Sequence, residues 1–394
     1  MQVRIIADER RGKRGYKGAV VELPASRFLL EDALQRAQVS EDGGYQLGRF
    51  IQWPGFLSGY LAASGEKTLE EVNLLAEKVS QMNGIQMKTY EGALQLRNDE
   101  NIDLPISTKE LINYAYNLDS YEFHPGVMED RDLGEIAMMG GMFDIVDDLP
   151  DEVAELLDVR KVGEALRRAD QGAFTGSGYV FRGNACWQEV YDGVHLPEQP
   201  EEHGLISLRL ESVNQNPGRN SGVWLELPAD EQTVQQTLAS LGEPALDYCT
   251  ILETKSALPS LKYQLAEDAD IDRLNLLAER LAAFPDSRTM MKYKAVLELE
   301  CYPDINRMLD ITKNLDGYDY DSRIVTTADY AEYLLREAGV DTSDPAFDRF
   351  DFDGYGERRL KQAGYVPTPY GSVSRNGIPF IQEFTKPSQG MTMA

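Results

Sequence analysis

Carboxylates are the side chains of this sequence whose number and spacing point to a chemical role. The chain has 66 Asp and Glu against 39 Lys and Arg, which gives a formal net charge of -27. Residues 99–158 hold 17 acidic and 2 basic residues, and residues 298–357 hold 16 acidic and 5 basic residues. Such a charge repels nucleic acid and anionic membranes and attracts basic partners. We therefore expect a cationic protein partner and no direct binding of nucleic acid or membranes.

Both acidic segments also contain many apolar and aromatic residues, which predicts folded elements rather than acidic tails. Most charge runs are merely solvated helix faces, but a solubilising surface mixes both signs, and these segments contain few Lys and Arg. Carboxylates on folded elements keep fixed positions, as an imitation of DNA phosphates requires. Since duplex DNA carries one charge per ~1.7 Å of axis, an excess of 27 charges matches on the order of 45 Å, or about 13 base pairs.

We predict that these carboxylates form a partner-binding surface that mimics DNA. Its members in the first segment are Asp119, Glu122, Glu129, Asp130, Asp132, Glu135, Asp144, Asp147, Asp148, Asp151, Glu152 and Glu155. Its members in the second segment are Asp316, Asp319, Asp321, Asp329, Glu332, Glu337, Asp348, Asp351 and Asp353.

Catalytic and metal chemistry find little support in the sequence. The three histidines form no Ser-His-Asp or Cys-His arrangement that can be argued, and the three cysteines are far apart with no CxxC pair. Residues 351–354 (DFDG) resemble part of a calcium loop but lack its full spacing and its late Glu. The basic turn at residues 10–15 lacks the order of a phosphate-binding loop. We expect no enzyme, no catalytic residue, no cofactor and no metal.

The location of the protein is predicted from what the sequence lacks. An apolar leader is absent at the N-terminus, and no run approaches the roughly 18 apolar residues of a membrane span. An odd number of scattered cysteines fits a reducing compartment. We expect a cytoplasmic protein.

Internal repetition organises the chain. Three collinear pairs of segments resemble each other, namely 18–25 with 222–229, 73–78 with 275–280, and 117–121 with 314–318. Their offset falls from 204 to 202 to 197 residues, as expected if insertions and deletions accumulated in loops. We predict a first unit at 1–193, a linker at 194–204, a second unit at 205–384 and a flexible tail at 385–394.

Each predicted unit has the same order of local patterns. Strands are expected at 2–7, 19–23, 205–210 and 223–227, and helices at 28–37, 69–79, 231–241 and 271–281. Turns and a last strand close each unit, at 176–181 and 370–380. The predicted class is α+β, with small mixed sheets and a helical middle part in each unit. Self-repulsion among so many carboxylates favours an elongated shape.

Residues 216–228 (NPGRNSGVWLELP) are similar to the N-terminal signature of the ArdA antirestriction family, which has the form N-x-G-x-x-x-G-x-W followed by a short strand. Residues 274–279 resemble the central helix of that family, and residues 329–333 and 350–356 resemble its acidic C-terminal part. The first unit is more diverged, because Gly12 and Val20 stand where the signature has Asn and Trp.

The resemblance implies an antirestriction protein without cofactor or catalysis that occupies the DNA-binding groove of type I restriction-modification enzymes. Members of the family are usually homodimers of one unit. A tandem chain is compatible with two assemblies. In one, its two units replace the family's dimer within a single chain, and in the other, two chains still form a dimer. The alternative function is an acidic adaptor of a mobile element that binds another basic protein. A mimic should carry a stripe of acidic side chains, whereas an adaptor should carry an acidic patch beside an exposed apolar one.

Overall fold

The computed structural model describes residues 1–140, 156–197, 204–214, 222–256, 258, 261, 265, 269–301 and 303–385. Its mixture of 13 α-helices and four small three-stranded sheets in the described part of the chain confirms the predicted α+β class. None of the described helices is both long enough and apolar enough to span a membrane.

Two sheet patterns each occur twice along the chain. The orders are β2-β1-β3 and β8-β7-β9 for one pattern, and β4-β6-β5 and β10-β12-β11 for the other. The strands are β1 (Gln2–Ala7), β2 (Ala19–Glu22), β3 (Tyr45–Ile51), β4 (Tyr121–Pro125), β5 (Ala173–Phe174), β6 (Gly178–Arg182), β7 (Ile206–Ser212), β8 (Val223–Leu227), β9 (Cys249–Ser256), β10 (Tyr318–Asp321), β11 (Val366–Thr368) and β12 (Gly371–Arg375).

Helices fill the segments between these strands. They are α1 (Arg27–Arg36), α2 (Gly55–Ala63), α3 (Leu69–Ser80), α4 (Gly84–Glu100), α5 (Thr108–Tyr116), α6 (Asp130–Gly140), α7 (Val159–Asp170), α8 (Glu231–Leu241), α9 (Ile271–Ala282), α10 (Ser287–Leu299), α11 (Ile305–Lys313), α12 (Thr327–Glu337) and α13 (Phe352–Ala363). Most begin at a side chain that accepts a hydrogen bond from the first turn, as at Thr68 for α3 and Asp270 for α9.

Contacts divide the chain into two compact units that interleave in sequence. Unit 1 contains residues 1–4, 22–24 and 47–199, and unit 2 contains residues 5–21, 25–46 and 200–394. The N-terminal residues 5–21 and 25–46 therefore group with the C-terminal half of the sequence. This division concerns contacts, and the predicted boundaries of the two sequence repeats remain a prediction.

Unit 1 has its core among α3, α4 and α5. The apolar stripe of α3 is buried, with Leu69, Val72 and Leu75 each 0% exposed. Tyr90 of α4 is also fully buried, and its hydroxyl donates a hydrogen bond to the Leu111 carbonyl at 2.8 Å. A buried tyrosine needs such an acceptor, because an unsatisfied hydroxyl would weaken the core.

Unit 2 has its core between the sheet β8-β7-β9 and the helices α9 to α11. The stripe of α9 is buried there, with Leu274, Leu277 and Ala278 at 0% exposure. Tyr293 of α10 is fully buried, and its hydroxyl donates to the Met308 carbonyl at 3.1 Å. This tyrosine thus has the same kind of partner as Tyr90 in unit 1.

The predicted strands and helices named above are present, with ends that differ by at most a few residues. Three predicted regions fall partly outside the described residues. These parts are residues 198–203 of the linker, residues 386–394 of the tail and residues 216–221 of the family signature.

Candidate acidic interface

The predicted carboxylates lie on two modules of similar construction. The first acidic module, residues 119–182 in unit 1, contains β4, α6, α7, β5 and β6. The second acidic module, residues 316–375 in unit 2, contains β10, α12, α13, β11 and β12. In each module the first and second strands both pair with the last strand, which lies at the centre of an antiparallel sheet.

Glycines let the two helices of each module approach closely. A Cβ on Gly163 would lie 1.7 Å from the Asp130 carbonyl oxygen, and a Cβ on Gly356 would lie 1.8 Å from the Thr327 carbonyl oxygen. Both glycines are the fifth residue of their helix, and both carbonyls belong to the first residue of the facing helix. The crossing therefore sets the positions of the carboxylates in the first turns of α6 and α12.

Two exposed carboxylates lie at the N-terminal start of each module, at matching positions. Asp119 and Asp316 lie in the 3-10 turn before the first strand, and Glu122 and Asp319 are the second residues of β4 and β10. All four side chains are exposed and have no ion-pair partner within the described ranges. Asp319 accepts a hydrogen bond from Asn376 Nδ2 at 3.2 Å. These residues present negative charge to solvent from rigid elements.

Helix α6 and its N-terminus carry four further carboxylates of the first module. Asp130 forms an ion pair with Arg167 of α7 at 2.7 Å, and only 14% of its side chain is exposed. Asp132 accepts hydrogen bonds from the backbone N–H groups of Met128 and Glu129 at 2.9 and 3.2 Å, so it caps the helix.

Glu135 is paired with Arg131 at 3.2 Å, and both side chains are exposed, so their mutual attraction is weak. Glu129 is exposed and has no ion pair among the residues described. The remaining predicted members of the first module lie outside the described residues, namely Asp144, Asp147, Asp148, Asp151, Glu152 and Glu155.

Several carboxylates of the second module have structural partners. Asp321 pairs with Arg323 at 2.7 Å, and this hydrogen bond lowers the pKa of the Asp321 carboxyl group. Asp351 caps α13 by accepting from the Gly354 N–H at 2.9 Å, and Asp353 accepts from the Thr327 hydroxyl at 2.6 Å. Residues 351–353 therefore stabilise helix ends, which explains their resemblance to part of a calcium loop.

Glu337 and Asp348 are exposed, and neither has an ion pair in the part of the chain that is described. By contrast, Asp329 and Glu332 on α12 pair with two arginines from the N-terminal segment of unit 2. Arg10 Nη2 lies 2.7 Å from Asp329 Oδ2, and Arg14 Nη1 lies 3.1 Å from Glu332 Oε1. The sequence reasoning did not predict these arginines as part of the site. The sequence feature that could have indicated them is a cluster of five basic residues at 10–17 in an otherwise acidic chain.

Chemically, the two modules offer fixed anionic groups for a cationic surface. Within the described ranges, no group of three or more His, Cys, Asp or Glu side chains could hold a metal ion. The three cysteines are free, and only Cys249 is buried. The exposed carboxylates thus remain the main candidates for binding a partner.

Comparison with known proteins identifies part of the chain. A search of curated proteins finds no match. The sequence model of the family described as Antirestriction protein (ArdA) matches residues 214–373. The match lies within the predicted second repeat and includes the second acidic module except its last two residues. It agrees with the resemblance drawn from residues 216–228, whereas the tandem arrangement stays a prediction. Over residues 214–373 the chain is therefore similar to the ArdA antirestriction protein family.

Proposed function

We propose that the protein is a non-enzymatic DNA mimic that occupies the DNA-binding subunits of a type I restriction-modification enzyme and inhibits it. The observation that carries this proposal is the matched pair of exposed carboxylates in each module, Asp119 with Glu122 and Asp316 with Asp319. A pair on a turn and a strand has little conformational freedom. Fixed anions can replace phosphates in a cationic groove without a large loss of entropy on binding.

A duplication of the ArdA-like unit would explain why the pairs recur. Asn117 donates to the Gln188 carbonyl and accepts from the Gln188 N–H, both at 2.7 Å. Asn314 does the same with Ile381, at 2.8 and 2.7 Å. In each unit, this pair of hydrogen bonds joins the asparagine that follows a helix to a segment far along the chain. Together with the repeated sheet orders, they support a tandem origin for the chain.

The proposed target follows from charge and from the family. A net charge of -27 is repelled by DNA and attracted to the protein surface that binds DNA. Inhibition in the cytoplasm would protect incoming mobile DNA, and it requires neither a cofactor nor catalysis. Because the energy is spread over many charges that salt screens individually, inhibition should weaken as ionic strength rises.

Titration of the purified chain into a type I restriction-modification enzyme with its DNA, at two salt concentrations, tests the proposal. We expect stoichiometric inhibition of cleavage and methylation, relieved competitively by added DNA. The protein-to-enzyme ratio would show whether one chain is sufficient or chains pair. Absence of inhibition at low salt would contradict the proposal and favour an acidic adaptor for another basic protein.

A charge-neutralised variant makes the test specific to the two modules. Replacing Asp119, Glu122, Asp316 and Asp319 by their amides should weaken inhibition at least about tenfold, since four fixed charges are lost from the contact. The matched control neutralises four exposed carboxylates outside the modules, namely Glu66, Glu70, Glu231 and Asp272. Equal weakening by both variants would show that only total charge matters, which contradicts mimicry by positioned carboxylates.

A further inference from the structure

The N-terminal segment of unit 2, residues 5–21 and 25–46, contacts the second acidic module through a basic loop. Arg10 lies between β1 and β2, and its side chain and that of Asp329 are both only 9% exposed in their 2.7 Å ion pair. The second nitrogen of the same guanidinium donates to the Arg323 carbonyl at 3.2 Å. An arginine with two such acceptors is held in one orientation.

Arg14 extends this contact along α12. Its guanidinium lies 3.1 Å from Glu332 Oε1 and donates to the Thr342 carbonyl at 3.4 Å. It also lies over the Phe352 ring, 4.0 Å from the centroid, a cation–π contact. Arg10 and Arg14 thus bind two of the three predicted carboxylates of α12, Asp329 and Glu332, from the chain's own N-terminal segment.

The backbone of the loop packs against the start of α12. A Cβ on Gly15 would lie 3.3 Å from Ala328 Cβ, and the φ of Gly15 is +71°, where glycine is favoured. At the same helical position the first module has Arg131 instead of Ala328. That longer side chain would occupy the space of the loop. The surface of α12 therefore has room for this segment at Ala328, whereas the surface of α6 does not at Arg131.

A buried polar cluster anchors the second half of the segment. Asp32 of α1 is 0% exposed and accepts hydrogen bonds from Lys294 Nζ at 2.9 Å and from the Tyr370 hydroxyl at 2.7 Å. Lys294 is 4% exposed, and it also donates to Gln35 Oε1 at 2.8 Å. Burial lowers the pKa of Lys294, and the charge of Asp32 opposes that change. Loss of Asp32 would leave the buried ammonium group of Lys294 without its ion pair, which is strongly unfavourable. Asp32 itself also pairs with Arg36 at 2.8 Å.

We propose that residues 5–21 and 25–46 are a built-in ligand of the C-terminal part of unit 2, and that Asp329 and Glu332 hold this segment instead of the restriction enzyme. The region that matches the ArdA family is then completed by residues far outside it. The assignment of Asp329 and Glu332 away from the partner rests on the proposed function, whereas the docking itself does not. Among the predicted carboxylates of the second module, Asp316, Asp319, Glu337 and Asp348 are exposed without an ion pair in the described ranges and are left for a partner.

Hydrogen exchange of the full chain tests the docking. In the variant Arg10→Gln with Arg14→Gln, the amides of residues 8–18 should exchange at least about tenfold faster, because the loop loses its buried ion pair. The matched control is Arg11→Gln with Lys13→Gln, which removes the same charge from exposed side chains of the same loop. The control should leave exchange within about twofold of the unmutated chain. Equal acceleration in both variants, or none in either, would overturn the docking.

Inhibition measured in parallel tests the assignment of the two carboxylates. The variant Asp329→Asn with Glu332→Gln should weaken inhibition about twofold or less, and Asp316→Asn with Asp319→Asn should weaken it severalfold more. A larger loss for the α12 pair than for the β10 pair, while Arg10→Gln with Arg14→Gln frees the same loop and leaves inhibition intact, would overturn the assignment. If the unmutated chain does not inhibit at all, the proposed function fails, and the exchange experiment still decides the docking.

Discussion

The two acidic modules have the same scaffold but use their internal charges differently. Glu300, which follows α10 and lies outside the second module, accepts from that module's Arg375 Nη2 at 2.6 Å and Tyr318 hydroxyl at 2.7 Å, and from Arg307 Nη2 at 3.3 Å. Glu300 is only 9% exposed. In unit 1, Arg97 stands at the position of Glu300, seven residues after the buried Tyr90 as Glu300 is after Tyr293. Arg182 pairs there with Glu100, which is 42% exposed, at 3.1 Å.

Two exchanged charges accompany this difference between the units. Glu110 of α5 stands at the position of Arg307 in α11 and pairs with Arg97 at 2.7 Å, so the Glu300–Arg307 ion pair has a counterpart with its charges exchanged. A cavity of about 310 Å³ lies next to Tyr121 and Arg182 in unit 1, and Tyr114 and Trp187 also line it. The scaffold thus fixes backbone positions, and individual residues decide whether a carboxylate is buried in a network or left near solvent.

We expect the largest change in stability from substitutions at the helix crossing, and comparing the two modules tests whether the crossing is equally necessary in both. Gly163→Ala and Gly356→Ala should each destabilise the protein by about 3 kcal/mol or more, because the new Cβ would overlap a backbone carbonyl oxygen. Urea unfolding measures this change. The control is Gly59→Ala in α2, where a Cβ would meet nothing within 4 Å. It should be neutral or stabilise by up to about 1 kcal/mol. A mild effect at only one crossing would break the equivalence of the modules.

The next effect contrasts the two glutamates. Glu300→Gln should cost about 3 kcal/mol in the free energy of unfolding, because Arg307 and Arg375 lose their shared charged acceptor in a largely buried site. Glu100→Gln should cost less than about 1 kcal/mol, as for an exposed ion pair. The same unfolding experiment measures both. Similar costs would mean that burial of the Glu300 network adds nothing to stability.

A smaller effect is expected on how the stability of the protein depends on pH. Burial would raise the pKa of Glu300, but hydrogen bonds and the charges of Arg375 and Arg307 outweigh burial and lower it below the ordinary 4.5. Its contribution to stability is therefore present above pH 4.5 and is lost as pH falls through the lowered pKa. In unit 1 Glu110 has the lowered pKa, because hydrogen bonds from Ser107 and Arg97 outweigh burial. Unfolding followed from pH 6 to pH 3 should show a shallower decline of stability when both Glu110 and Glu300 are changed to Gln than in the unmutated chain. An unchanged slope would contradict both assignments.

The smallest effect is that of one exposed charge. Asp119→Asn and Asp316→Asn should each weaken inhibition by about twofold or less at physiological salt, because solvent and ions screen single exposed charges. Inhibition titrations with each single variant measure this, and their near equality would support two modules of equal function. A tenfold loss for one variant alone would show that the partner contacts chiefly that module.

Much of the fold could be predicted from local patterns. Strand β8 and helix α8 were predicted with their observed ends, since Asp230 caps the helix and the apolar residues of the strand alternate with polar ones. The buried stripes of α3 and α9 followed from helical spacing. The candidate site was predicted less completely. Its residues were chosen by charge density, which does not distinguish the exposed Glu122 from Asp130, whose partner Arg167 lies 37 residues further along the chain.

The sequence by itself determined the acidic character, the α+β class, the repeated order of elements and the resemblance of residues 216–228 to the ArdA family. These properties follow from composition and from spacing within short windows. Tertiary structure decided which carboxylates face solvent and which are held by arginines. It also placed Arg10 against Asp329, 319 residues away, and Asp32 against Lys294. No local pattern encodes such pairs, because the two partners meet only when distant elements pack and exclude water from their charges.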